Sequence, residues 1–203
     1  MRSWKRLAWL ALAMALALDG ARAAETIAFL RHGEKPPAGL GQIDCQGLNR
    51  ALKLPARLAA LFPQPSFAKP AAIFAPNPSV REDDHGVMYD YVRPLATIEP
   101  AAIGLGMPVN TQFGYDDVKG LTKELGKDDY RDALVLVAWE HRMAEKAVRK
   151  LMKDYGGDPD IVPKWERDDF DSVYVVTIDR AANSATFAKK AEGLDGQPEA
   201  CPQ

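Results

Sequence analysis

A chain of 203 residues, 47% hydrophobic and 27% charged, has the composition of one soluble globular domain, with at most a small appendage. It is long enough for a sizeable core and shows no fixed-period repeat or low-complexity block. Its slightly negative formal charge, −2, excludes a broad nucleic-acid face, which would be basic, so any anionic ligand must be met by a local cluster of cations.

The chain opens with Arg2, Lys5 and Arg6, then an unbroken apolar run over residues 7–18, then Ala21-Arg22-Ala23. A basic head, a short apolar middle and an A-x-A site make a secretory signal peptide over residues 1–23. Twelve apolar residues fall short of the roughly 20 that a membrane span needs. An uncleaved anchor or an apolar core helix is the alternative. Cleavage after Ala23 predicts one domain over residues 24–203, exported to a periplasm or secreted, with no membrane span. The leader holds Arg2, Lys5, Arg6 and Arg22 against Asp19, so the remainder carries 22 basic and 27 acidic residues, a formal charge of −5. Cys45 and Cys201 both fall in the exported part. An even count in an oxidising compartment suggests a disulfide, with two free buried thiols as the other reading.

Residues 26–30 read as a first strand, apolar without alternation, as a central parallel strand buried on both faces should be. The Pro- and Gly-rich stretch 34–41 is a loop. Residues 44–62 carry Leu48, Leu52, Leu54, Leu58 and Leu61 at helical spacing, and Pro55 predicts a kink or two short helices. Pro63, Pro65 and Pro70 lead to a second strand over 71–75. Residues 80–91 are polar and without a period, and read as a loop at the carboxyl end of that strand, where function is usually carried. A helix follows over 92–104, with Pro94 tolerated in its first turn and Pro100 expected to kink or split it. Residues 108–113 form a weaker third strand and 116–125 a modest helix. Residues 133–139 are the strongest strand, ending in Glu140-His141-Arg142, and a helix over 143–155 stops at Gly156-Gly157. A polar loop over 158–170 carries Trp165. Residues 173–178 and 185–188 read as a closing hairpin, and 192–203 as an irregular tail. The alternation predicts an α/β three-layer sandwich: a mostly parallel sheet, helices on both faces, and a C-terminal antiparallel hairpin.

Two strands in this reading end in histidine, at His32 and His141, and Arg93 opens the helix after the second strand. Parallel strands bring their carboxyl ends to one edge, where open α/β sheets place ligands. Together with Arg31, these side chains make a cage for a tetrahedral dianion, because a guanidinium fork binds phosphate oxygens in pairs. Gly33 allows the sharp turn and the close approach of a substrate.

Arg31-His32-Gly33-Glu34 after a strand, Arg93 with Thr97 four residues later at a helix head, and a strand ending in His141 resemble, in that order, the motifs of the histidine phosphatase superfamily, the phosphoglycerate-mutase-like enzymes. The likeness covers about residues 26–151. It implies an exported phosphomonoesterase that works through a phosphohistidine on His32, with Arg31, Arg93 and His141 binding the phosphate and the ring of His32 donating to the Gly33 carbonyl. It also implies a small phosphorylated substrate and no metal or other cofactor. The alternatives are a phospholigand-binding member without catalysis and a phosphotransferase of mutase type. Three departures stand out: Arg142 follows His141 where the family has glycine or aspartate, the link over 80–92 is long, and no acid matches clearly. Asp116, Asp117 and Glu34 are the candidate general acids, with Asp83 and Glu140 as rivals.

The charge run Arg81-Glu82-Asp83-Asp84 reads as a solvated face, with Arg81 within reach of an anionic substrate. His85 reads as a solvated loop histidine, with a lid over the substrate or a metal ligand as its functional readings. No Cys/His spacing fits a zinc site, and Trp139 and Trp165 read as packing. Nothing in the sequence sets an oligomeric state.

Overall fold

The computed structural model describes residues 24–63 and 67–203; the leader over 1–23 and Pro65 lie outside the described residues. In chain order the elements are β1 (Glu25–Arg31), α1 (Cys45–Leu61), β2 (Ala72–Phe74), β3 (Glu82–Asp84), β4 (Val87–Tyr89) and α2 (Arg93–Leu105). Then follow α3 (Val118–Leu125), β5 (Leu134–Trp139), α4 (His141–Asp154), β6 (Ser172–Asp179) and β7 (Ser184–Ala191). The main sheet has the order β2-β5-β1-β6-β7. Its core is parallel, β1 with β5 and β5 with β2, and the C-terminal strands β6 and β7 add antiparallel to β1. This is the α/β sandwich that the alternation of elements predicts.

The unbroken apolar character of β1 and β5 has a direct cause: both faces are covered. Ile27 and Phe29 pack with Leu121 and Leu125 of α3 and Ala147 and Leu151 of α4. Ala28 and Leu30 turn to Leu54 and Leu58 of α1 and Ile98 of α2. Val135 and Val137 share the first side, Leu136 and Ala138 the second, as a period of two requires. Each large apolar side chain so buried contributes about 1.5–3 kcal/mol.

Two segments differ from the sequence expectation, and in two helices the structure decides between a split and a continuous run. Residues 45–61 form one helix that runs through Pro55. Ala51, Leu54 and Leu58 are fully buried on either side of that proline, so burial of a continuous apolar face offsets the lost backbone bond. The helix begins at Asp44, whose carboxylate accepts from the Gly47 N–H at 2.8 Å. Likewise α2 runs through Pro100 unbroken. The expected strand over 108–113 reduces to one bridge between Phe74 and Asn110, because β2 offers only three residues to pair with. Residues 80–91, read as an irregular loop, instead hold the β3–β4 hairpin, which pairs Glu82 with Tyr89 and Asp84 with Val87. Its tip is His85-Gly86, both at positive φ (57° and 85°), the requirement of a tight two-residue hairpin turn.

Cys45 and Cys201 are bridged, with 4.6 Å between their Cα atoms. The bond fastens the tail to the first residue of α1. Closing a loop of 156 residues contributes on the order of 5 kcal/mol in the chain-entropy model.

Candidate active site

β1 and β5 end side by side, with Arg31 opposite Trp139, and the His32 N–H donates to the Trp139 carbonyl at 3.3 Å. The residues just past both strands, His32 and Glu140-His141, are therefore neighbours at one edge of the sheet. His32 Nδ1 lies 2.7 Å from the Gly33 carbonyl oxygen. A carbonyl only accepts, so Nδ1 carries the proton and Nε2 keeps its lone pair. The Gly33 N–H donates to Thr97 Oγ1 at 2.8 Å, and that hydroxyl donates to the Arg93 carbonyl one turn back at 2.9 Å. The four-residue spacing of Arg93 and Thr97 thus ties the head of α2 to the His32 turn.

The turn also rests on α1 by close backbone contact. A Cβ on Gly33 would lie 2.9 Å from Gly47 Cα, and one on Gly47 would lie 2.4 Å from the Glu34 carbonyl oxygen. The constraint is space rather than φ. Gly47→Ala is expected to push the turn off its seat, costing about 1–3 kcal/mol and lowering activity. Thermal melts and steady-state rates on that variant check this, and an unchanged melting temperature would refute it.

Arg31, His32, Arg93 and His141 line one cavity of about 440 Å³. Arg31 Nη1 donates to the carbonyls of Arg167 (2.7 Å) and Asp169 (3.0 Å), and its guanidinium lies 3.8 Å from the Phe170 ring centroid. Its Nε is buried and has no partner among the described residues. Arg93 donates through Nη1 to Asp84 and through Nη2 to Glu82, while its own buried Nε is equally unpartnered. A buried N–H without an acceptor costs about 1–3 kcal/mol, so Arg31 and Arg93 each keep an unmet donor behind the wall of this cavity. His141 Nδ1 lies 2.7 Å from Glu140 Oε1 but off the line of a hydrogen bond, leaving Nε2 as the ring nitrogen for the cavity.

The electrostatics follow from burial. Burial, and then the Arg31 guanidinium beside it, push the His32 imidazole down to about 3, so it is neutral across the physiological range. Tyr91 and Phe170 supply much of that burial, each ring edge-on to His32 at 6.2 and 6.0 Å between centroids. Burial draws Arg31 down to about 10, which leaves it charged at neutral pH. The lining carboxyls separate. Burial raises Asp84, but hydrogen bonds from Arg93 and Lys35 outweigh it and hold it at about 2. Burial raises Glu140 too, and His141 outweighs it, again to about 2. Glu82 is moved the other way, above the usual carboxylate range, by burial and by the like charges of Asp84 and Glu140, against the pull of Arg93.

The remaining sequence candidates are placed as follows. Asp117 caps α3 through the Gly120 N–H at 2.8 Å, and Asp116 is exposed beside it. Glu34 is paired with the buried Arg50 at 2.7 Å. None of the three lines the cavity; of the two rivals, Asp83 and Glu140, both do. Arg81 spans its own hairpin, bonding to the Met88 carbonyl and lying 3.4 Å from Asp90, and stays off the cavity wall. His85, at the hairpin tip, lines it. Among the described residues no group of three or more His, Cys, Asp or Glu side chains is placed to hold a metal ion. Sequence reasoning did not single out Glu82, Tyr91 or Phe170 for the site. Glu82 sits in a charge run that reads as solvated, and the two rings reach His32 only through the hairpin's return and the 158–171 loop.

No protein-family model matches the chain, and no curated protein matches it in sequence. Solved structures do resemble it in fold. A phosphoglycerate mutase from Plasmodium falciparum superposes with a TM-score of 0.54 at 11% identity, over 84% of this chain and 92% of that one. A protein carrying the name phosphohistidine phosphatase SixA, from Agrobacterium tumefaciens, gives 0.53 at 13% identity, over 82% and 97%. Another of that name, from Nakamurella multipartitia, gives 0.51 at 14%, over 82% and 95%. The chain shares the fold of these phosphoglycerate mutase and SixA structures.

Proposed function

We propose that this chain is an exported phosphomonoesterase of the histidine phosphatase superfamily, hydrolysing a small phosphate ester through a phosphohistidine on His32. The observation that carries the reading is a neutral imidazole, its Nδ1 held by Gly33, in the wall of one cavity with the guanidiniums of Arg31 and Arg93 and the ring of His141. In the first step the His32 Nε2 lone pair attacks phosphorus in line, the phosphorus–oxygen ester bond breaks, and the departing oxygen takes a proton from the Glu82 carboxyl. Arg31, Arg93 and His141 neutralise the equatorial oxygens. In the second step water attacks the phosphohistidine, gives its proton to the Glu82 carboxylate, and the phosphorus–nitrogen bond breaks to return the lone pair to His32. Alcohol and inorganic phosphate are the products. Glu82 replaces Asp116, Asp117 and Glu34 as the acid because it lines the cavity and its proton is held above the usual carboxylate range. Glu140 and Asp84, at about 2, are ionised and serve to position His141 and Arg93.

Export is supported by the leader-type composition of residues 1–23 and by the Cys45–Cys201 bridge. Among the described residues no helix is long and apolar enough to cross a membrane.

The test is to quench the protein with base during turnover of labelled phosphoester and map the label. Phosphate on the peptide containing His32, stable in base and labile in acid, is the expected result; turnover with no trapped label on that peptide would rule the mechanism out. The pH profile carries a second expectation. Because the His32 pKa lies near 3, kcat/KM should not fall through the ordinary histidine range near 6.5 as pH drops. As pH rises through the elevated Glu82 value the acid is lost and activity should decline. Glu82→Gln should lower kcat for alkyl phosphates by about a hundredfold to ten-thousandfold and abolish that basic limb, while an ester with a good leaving group is spared. Equal losses on both esters would assign the acid elsewhere.

A further inference from the structure

The cavity is larger than the ring of groups around His32, and its outer wall has a composition of its own. Lys164 and Arg167, from the loop between α4 and β6, and Arg142, from the first turn of α4, all line it. That loop is mixed in charge: Glu166, Asp168, Asp169 and Asp171 lie among the two cations, yet none of the four acids lines the cavity. Asp169 and Asp171 are used elsewhere, while Glu166 pairs with Lys164. Asp169 accepts from Ser172 Oγ at 2.6 Å and Lys189 Nζ at 3.0 Å, and Asp171 lies 3.3 Å from Arg50. The cations are sorted inward, and the sorting is enforced from the inner site, since Arg31 Nη1 grips the carbonyls of Arg167 and Asp169.

These cations are also under-compensated. The Arg167 guanidinium has no partner among the described residues. Arg142 has only Glu140, at 3.4 Å, and that carboxylate already accepts from the Met143 N–H and faces His141. Lys164 has Glu166, exposed, at 3.1 Å. Across the cavity the hairpin wall carries Glu82 and Asp83; on the α4 side Glu140 and Glu145 also line it, Glu145 being engaged by Arg149 at 3.1 Å and by the Trp165 N–H at 2.9 Å. Arg31, Arg93, His32 and His141 already suffice for one phosphate.

We infer that the outer wall is a second anion site, so that the substrate is a phosphomonoester whose alcohol portion carries a further carboxylate or phosphate group. This rests on the phosphatase reading for the inner half of the cavity. The inner groups take the scissile phosphate; Arg142 and Arg167 offer planar forks to the second group, with Lys164 as a point charge. A neutral alcohol would leave Arg167 without a partner, and Arg142 and Lys164 with only Glu140 and Glu166. The site confers selectivity rather than catalysis, since none of the three touches the reacting atoms.

Two non-hydrolysable ligands separate the terms: propylphosphonate, with one anionic group, and 3-phosphonopropionate, which adds a terminal carboxylate. Titration calorimetry on the wild-type protein should give about tenfold tighter binding of 3-phosphonopropionate, the worth of one charge-assisted contact. Arg167→Ser and the double variant Arg142→Ser/Arg167→Ser should lose that preference while binding propylphosphonate as before. Equal affinities in the wild type, or a preference that survives in the double variant, would overturn the second site and leave the inner one standing. Loss of both ligands in the variants would overturn it too, since the inner site should not feel these changes. Should the wild type bind neither phosphonate, the phosphate reading itself fails and this inference falls with it.

Discussion

His32→Ala is expected to reduce phosphoester hydrolysis on the order of 10⁴-fold or more, the usual cost of deleting a covalent nucleophile. Propylphosphonate should still bind, because Arg31, Arg93 and His141 keep their places. His141→Ala should cost less, about 10²–10³-fold, since it removes charge stabilisation and not the attacking atom. A His32→Ala protein retaining a tenth or more of wild-type kcat would end the phosphohistidine mechanism. The same variant should change the response to acid. The folded His32 pKa near 3 lies below the free value of 6.5, so between those values the unfolded chain binds the extra proton. The stability tied to the neutral ring is therefore present above about 6.5 and is lost progressively as pH falls towards 3. Removing the imidazole removes that loss, so the melting curve of His32→Ala should decline less steeply with acid than the wild type's.

Arg50→Met should be the most damaging single change to stability. Arg50 is fully buried and is shared by four carboxylates: Glu34 through Nε and Nη2, Glu192 at 2.8 Å, Asp171 at 3.3 Å and Asp195 at 3.0 Å. Methionine roughly conserves the apolar stem but leaves buried carboxylates without a cation, which costs about 3–5 kcal/mol. Urea unfolding monitored by circular dichroism reads this directly, and a loss under 1 kcal/mol would show that the cluster contributes little. The cluster joins three parts of the chain: Glu34 directly after the His32 turn, α1, and the tail that the disulfide fastens. Its pH dependence runs opposite to that of His32. Burial raises Glu192 to about 8 against the lowering effect of Arg50, which cannot satisfy four acids at once. A folded pKa above the free carboxylate value of 4.5 means the folded state holds the proton; that contribution is complete below 4.5, is lost progressively as pH rises towards about 8, and changes no further above it. Glu192→Gln, with no proton to lose, should keep its melting temperature between about pH 5 and 8 while the wild type falls. Superimposable curves would count against protonation of Glu192.

The elements of the sheet were legible because burial on both faces demands unbroken apolar runs, and residues 26–30 and 133–139 have them. The convergence of His32, His141 and Arg93 was legible for the same reason: parallel strands end at one edge, and Thr97 one turn after Arg93 has a hydroxyl to hold the turn. Proline left open whether α1 and α2 would split at Pro55 and Pro100, since a local rule about a missing N–H gives no weight to Leu54 and Leu58 packing across it; the structure shows one helix in each case. The hairpin was invisible because Glu82-Asp83-Asp84 has no strand former, and its pairing with Val87-Met88-Tyr89 depends on the tip at His85-Gly86.

What local pattern determines here is which atoms can do chemistry: an imidazole after a strand, guanidiniums able to fork onto oxygen, two cysteines, a leader-type N-terminus. What only the assembled chain decides is the state of those atoms. The His32 ring is neutral because it is buried, with Tyr91 and Phe170 edge-on to it, and because the Arg31 guanidinium stands beside it. Glu82, and not Asp116, Asp117 or Glu34, faces the cavity because a hairpin folds back over the sheet edge. The Lys164 to Asp171 loop shows its cations inward because Arg31 grips its carbonyls. Desolvation and charge pairing depend on distances through space, and no spacing along a chain contains them.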